Sequence, residues 1–210
     1  MLNFITGFLL LIVMPANNVE PFEGSIDLVQ ETFYDTLYFT YSVKNEQIRV
    51  DKYDQNQQII QTILVNLNQK EVVVLSPEKK LYTVFESDAK SAEDDENFKI
   101  IKAENSRMVN GHNCYQWRVK NEERNTETTY WVTQNDFYFF NDFIRLLNRS
   151  ERTFEFFGKI PESEGFFPML TVERTLLRKE KSRILVKRIE HQSIDPNIFE
   201  IPDDYEMVKH

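Results

Sequence analysis

Thr36-Leu37-Tyr38-Phe39-Thr40-Tyr41-Ser42-Val43-Lys44-Asn45-Glu46-Gln47-Ile48-Arg49-Val50-Asp51 is the stretch from which the fold is read. Leu37, Phe39, Tyr41 and Val43 alternate with Tyr38, Thr40 and Ser42, which is the period of a half-buried strand. The alternation resumes at Ile48 and Val50 after Asn45-Glu46, so the two runs form a hairpin. Phe22, Ile26 and Leu28 continue the pattern upstream. Downstream, Ile59 to Leu67, Val72 to Leu75 and Leu81 to Phe85 are strands, separated by turns at Asn66-Leu67-Asn68 and Ser76-Pro77-Glu78. This order is an antiparallel meander.

Strand character returns at Phe98 to Ala103, Met108 to Val109, Cys114 to Val119 and Thr128 to Val132, with Asn110-Gly111 as a turn and Asn121 to Asn125 as a polar connection. The period then changes. Asn135 or Asp136 can cap a helix from about Phe137 to Leu147, with Phe140, Phe143, Ile144 and Leu147 on one face. Phe154, Phe156 and Phe157 follow, then a loop from Gly158 to Gly165. Leu170 to Leu177 and Arg183 to Ile189 make a last hairpin about the charged turn at Arg178 to Ser182. Arg174, Arg178, Lys179, Lys181, Arg183, Lys187 and Arg188 cluster on it, interleaved with Glu173, Glu180 and Glu190, as on a solvated strand face.

Length and composition bound the rest. The 210 residues suit one domain with a sizeable core, and 17 Phe against 5 Gly is the composition of a chain that folds. Lys+Arg 25 against Asp+Glu 34 gives a net charge of -9, which disfavours nucleic acid as a partner. A single cysteine, Cys114, excludes an intrachain disulfide and a cysteine zinc cluster, and it reads as a small buried hydrophobe. The apolar run Phe4 to Met14, followed by Pro15-Ala16-Asn17-Asn18, has the length of an export-signal core and is too short for a membrane span. Residues 1–18 are expected to be a signal peptide, with an uncleaved anchor as the alternative, and 19–210 one β domain in the periplasm or otherwise outside the cytoplasm.

Catalytic motifs do not surface. His112, His191 and His210 are too far apart in sequence for a local metal motif, and there is no nucleophile elbow, phosphate loop or dinucleotide fingerprint. Ser87 to Asn97 is rich in carboxylates, but it lacks the donor spacing and glycine of a calcium loop and reads as a solvated loop. Asn148-Arg149-Ser150 fits a glycosylation sequon, which bacterial export would leave unused. No catalytic residue, metal or cofactor is assigned, and the chain is read as a non-enzyme.

Five segments in this order resemble a known family. They are Phe22-Glu23-Gly24-Ser25-Ile26, the Tyr41 to Asp51 hairpin, Gly111-x-x-Cys114, Tyr130-Trp131-Val132-Thr133, and Asp195-Pro196-Asn197-Ile198-Phe199-Glu200-Ile201-Pro202-Asp203-Asp204-Tyr205. From about Phe22 to Tyr205 the chain resembles an uncharacterised periplasmic, domain-of-unknown-function branch of the LolA-like lipoprotein-carrier half-barrel superfamily. The resemblance implies an incomplete antiparallel barrel around a hydrophobic cavity with a helical lid. It also implies a lipid or an acylated protein as ligand.

A curved sheet that does not close must cover its concave face, and the Phe137 to Leu147 helix with the Phe154 to Phe167 segment is the available cover. Phe139, Phe140, Phe143, Ile144, Leu147, Phe166, Phe167 and Met169 are therefore the candidate ligand contacts, although an aromatic stripe at helical spacing is more often plain core. The expected function is binding of a hydrophobic ligand in the concave face. The alternative is an envelope interaction module using the sheet edge or the basic last hairpin, and a lipid or glycan hydrolase has no constellation to support it.

Overall fold

The computed structural model describes residues 21–86, 98–147 and 154–208. The expected signal peptide, the acidic stretch Ser87 to Asn97 and the Asn148-Arg149-Ser150 tripeptide lie outside them. Six strands come first, β1 (Gly24–Thr32), β2 (Thr36–Lys44), β3 (Gln47–Tyr53), β4 (Ile59–Asn66), β5 (Glu71–Ser76) and β6 (Leu81–Glu86). Then follow β7 (Phe98–Val109), β8 (His112–Asn121), β9 (Thr126–Gln134), helix α1 (Phe139–Leu146), β10 (Phe166–Thr175), β11 (Glu180–His191) and the two-residue β12 (Glu206–Met207). They form one 12-stranded sheet in the order β12-β6-β5-β4-β3-β2-β1-β11-β10-β9-β8-β7. Every pairing is antiparallel except β12 with β6. The sheet is two meanders joined where β1 pairs with β11, and it does not close into a barrel. The half-barrel reading holds.

The turns explain the register. Asn45 and Asn110 adopt φ 52° and 46°, and Gly111 follows at 83°, the left-handed backbone that two-residue hairpins require and that Asn and Gly tolerate. The alternating residues then meet across strands: Ile26 faces Tyr41, Tyr41 faces Val50, Val50 faces Ile63, and Ile63 faces Val74. This row lies on the inner face, because the Phe143 ring of α1 sits edge-on to Tyr41 at 5.4 Å. β7 is one 12-residue strand where the sequence suggests two short pieces. Its register shifts between Ala103 and Ser106, and this bulge at Glu104-Asn105 breaks the apolar alternation.

Helix α1 corrects the capping expectation. Neither Asn135 nor Asp136 caps it; Tyr138 holds the N-cap position without a side-chain hydrogen bond. Phe137 precedes the helix with its ring buried against Phe22 at 5.3 Å and Phe167 at 5.0 Å, so aromatic burial sets where the chain enters. Eight residues are too few for a helix stable alone, and α1 persists because Phe139, Phe140, Phe143 and Ile144 are buried on the sheet.

A second apolar layer covers the outer face. Leu64, Val73 and Leu75 form a separate cluster with Tyr82, Val84, Ile201 and Tyr205. Central parts of β4 and β5 are thus buried on both faces, which is why their sequences read as near-continuous apolar runs. The cover is the segment after β11, here called the strap, and polar ties fix it. Lys44 Nζ donates to Glu23 Oε1 at 2.9 Å and to the Ile194 carbonyl at 2.6 Å, while Ile194 N–H donates to Glu23 Oε1 at 2.9 Å. Arg49 Nη1 donates to the Ile198 carbonyl at 2.9 Å and its Nε to Asp51 Oδ2 at 2.8 Å, and Thr62 Oγ1 donates to Asp51 Oδ1 at 2.6 Å. The strap ends at β12, where Glu206 N–H donates to the Lys80 carbonyl and Val208 N–H to that of Tyr82. One edge of the sheet is thereby occupied, and among the described residues no strand pairs with the other edge, β7.

Candidate functional site

The β7 edge borders a surface hollow. Lys102, Ala103 and Glu104 of β7, Tyr115 and Trp117 of β8, Gln134 at the end of β9, Glu162 and Glu164 of the following loop and Phe166 of β10 line a groove of about 570 Å³. Trp117 reaches it because alternation along β8 aims it inward, with 4% of its surface exposed. Lys102 Nζ stands 4.6 Å over the Trp117 ring, donates to the Pro161 carbonyl at 2.5 Å and lies 3.7 Å from the Glu162 carboxylate. The lysine thus pins the Pro161–Glu162 loop against the edge strand.

The groove floor continues into the interior ring by ring. Trp117 lies 4.7 Å from Phe166 and 6.1 Å from Phe157, in a stacked arrangement with the latter. Phe157 meets Tyr130 at 5.3 Å and Phe140 at 5.4 Å, and Phe140 meets Phe154 at 5.4 Å and Phe167 at 4.5 Å. Burial pushes the Tyr130 hydroxyl far above its ordinary range, so it stays protonated. A buried hydrogen bond from Asn141 Nδ2 to Ser163 Oγ, 3.0 Å, ties the helix to the loop that walls the groove.

Of the eight residues expected to touch a ligand, Phe139, Phe140, Phe143, Ile144 and Leu147 are buried on and just after α1, and Phe167 and Met169 are buried on β10. These seven share one apolar cluster. Phe166 alone of the eight lines the groove, and Phe139 borders a smaller hollow of about 170 Å³ with Pro21, Phe22, Asp136 and Asp142. Lys102, Tyr115, Trp117, Gln134, Glu162 and Glu164 escaped the sequence reading, because register and a loop bring them together from distant positions. The Tyr115-x-Trp117 pair, on one face of a strand next to the edge, was the available signal. Among the described residues, no group of three or more His, Cys, Asp or Glu is placed to hold a metal.

Fold and groove together define an open antiparallel half-barrel with an aromatic cover and an accessible groove at its β7 edge. The chain belongs to the family described as domain of unknown function DUF4412, whose model matches residues 22–205. That span is the one over which the sequence resemblance runs. Among solved structures, an uncharacterised conserved protein of Thermus thermophilus is similar at TM-score 0.56 and 7% identity, covering 89% of each chain. The MucA/MucB complex of Pseudomonas aeruginosa is matched at TM-score 0.45 and 7% identity, over 89% of this chain and 58% of that one. A Vibrio parahaemolyticus domain named for outer membrane lipoprotein sorting is matched at TM-score 0.33 and 7% identity, over 84% and 87%. A search of curated proteins returns no match.

Proposed function

We propose that the chain is an exported, non-catalytic protein of the bacterial cell envelope, folded as one domain after a cleaved N-terminal signal, that binds a lipid or a lipidated protein. The observation that carries this reading is the unbroken aromatic path from the open groove at Trp117 and Phe166 through Phe157 and Phe140 to the inner face of the sheet. An acyl chain entering at Trp117 would exchange ring–ring contacts for ring–chain contacts of similar apolar area. Each methylene so buried contributes about 0.8 kcal/mol. Opening requires α1 and the Phe154 to Ile160 segment to move off the sheet, and the Asn141–Ser163 hydrogen bond is the buried polar latch that resists it.

The β7 edge supports a second reading, in which an extended peptide adds a strand beside the groove. Native mass spectrometry of protein from its own envelope fraction, followed by lipid extraction, separates the two. A lipid adduct that is lost in Trp117→Ala supports the first. A clean apo mass, with no uptake of a fluorescent fatty acid, rejects it and leaves the edge as the binding element.

A further inference from the structure

The largest exposed apolar side chains of the described residues gather at one end of the sheet, away from the groove. Tyr34 is 92% exposed, Leu177 90% and Phe33 83%. Phe33 and Tyr34 form the β1–β2 turn and Leu177 is in the β10–β11 turn. Register makes these turns neighbours, since Glu31 pairs with Arg183 and Thr32 with Ser182. The β3–β4 turn joins them, with Gln55 Nε2 donating to Asp35 Oδ1 at 3.3 Å and Ile59 and Ile60 exposed behind it.

These tips are held in place. Thr32 Oγ1 accepts from Tyr34 N–H at 3.2 Å and from Asp35 N–H at 3.0 Å, and the Phe33 and Tyr34 rings meet edge-on at 5.2 Å. Thr175 accepts from Arg178 N–H at 2.8 Å and, through its hydroxyl, from Lys179 N–H at 3.1 Å, which fixes the tip carrying Leu177. Around Leu177 the cations divide in two. Arg174 and Arg183 are paired with Glu180, and Lys181 with Glu173, whereas the exposed Arg178 and Lys179 side chains have no ion pair among the described residues.

We propose that this rim docks on a lipid bilayer, Phe33, Tyr34 and Leu177 entering the interface while Arg178 and Lys179 meet headgroup phosphates. A phenyl ring, a phenol and a leucine beside unpaired cations is the composition of an interfacial anchor. A bilayer is favoured over a protein partner because the most exposed apolar groups are divided between two turns, Phe33 and Tyr34 on one and Leu177 on the other, beside cations that have no ion pair among the described residues. A fluid interface closes around each tip. The proposal is independent of what the inner face binds.

Flotation of the full chain with vesicles of equal parts phosphatidylcholine and phosphatidylglycerol tests it, against vesicles of phosphatidylcholine alone. Phe33→Ser combined with Leu177→Ser is expected to lower partitioning by about tenfold or more, with the unfolding midpoint unchanged. Arg178→Glu combined with Lys179→Glu is expected to remove the preference for phosphatidylglycerol. Leu177→Trp adds emission that brominated lipid quenches beyond the signal of native Trp117 and Trp131, which separates rim insertion from any contribution of the apolar N-terminal segment. Equal partitioning of the Ser double variant and the unsubstituted chain, or an unquenched indole in Leu177→Trp, overturns the proposal. So does a chain that does not float, in which case a protein partner takes the rim.

Discussion

Phe140→Ala removes the ring at the centre of the aromatic cluster. The side chain has no exposed surface, and its ring lies within 4.5–6.3 Å of those of Phe139, Phe143, Phe154, Phe157 and Phe167. Truncating a buried Phe to Ala costs about 3–5 kcal/mol through lost transfer free energy and the void left behind. Phe140 sits toward the middle of that range, at about 4 kcal/mol: five ring partners lose edge contacts, while the short α1 can partly settle into the space. In a chain of this size each kcal/mol moves the midpoint by about 2–4 °C, so a fall of about 8–16 °C is expected. Urea unfolding followed by tryptophan fluorescence measures it, with the denaturant slope expected to hold constant. Phe33→Ala, at an exposed tip, serves as the control and is expected to stay within about 0.5 kcal/mol. A loss below about 1 kcal/mol for Phe140→Ala refutes the reasoning, because the ring would then not be filling the inner face in solution.

Acid is expected to loosen the strap before the sheet. The Ile194 N–H, and after it Lys44, hold the Glu23 carboxyl below its ordinary range, and Lys80 does the same for Asp204. Groups lowered in the fold stabilise it above the ordinary carboxylate range, and they lose that contribution as pH falls through their folded values. Hydrogen exchange should therefore show Ile194 to Tyr205 losing protection below about pH 4 while β1 and β2 keep theirs, and uniform loss would count against the mechanism. Burial pushes the Cys114 thiol up to about 11, so thiolate is scarce at neutral pH. A disulfide exchange reagent should label Cys114 only at the rate of opening, and labelling as fast as in denaturant would contradict its burial.

Much of the fold was legible because one physical signal, side-chain alternation, repeats through it. Leu37 to Val43 and Ile48 to Val50 gave the hairpin that anchors β2 and β3, and the Asn110-Gly111 turn placed β8 after β7. The signal failed where alternation is interrupted by geometry, as at the β7 bulge, where Glu104-Asn105 hides the continuity of the strand. It also failed where a second layer hides behind a first. Leu64, Val73 and Leu75 read as strand residues either way, and what covers their outer face is the strap, whose Ile201 and Tyr205 lie after the last long strand and follow no period. The helix was visible from its apolar face, but its start was set by Phe137 burying ahead of it, outside capping chemistry. Seven of the eight candidate ligand residues share one buried apolar cluster and Phe166 borders the groove, while the groove itself was not legible. Lys102 and Glu162 meet only because β7, β8, β9 and β10 are assembled side by side.

The seam between β1 and β11 has a consequence for how the chain reaches its native state. Arg188 and Asp27 bond across 161 residues of sequence, in the middle of the sheet. Hairpins β2–β3 to β5–β6 can form from local contacts, yet β1 keeps a bare ladder until almost the whole chain is available. Synthesis and folding are thus uncoupled for the central strand. A chain stopped before Glu180 presents the flank of β1 as a template for other strands, so premature termination should yield aggregation rather than a smaller stable fold.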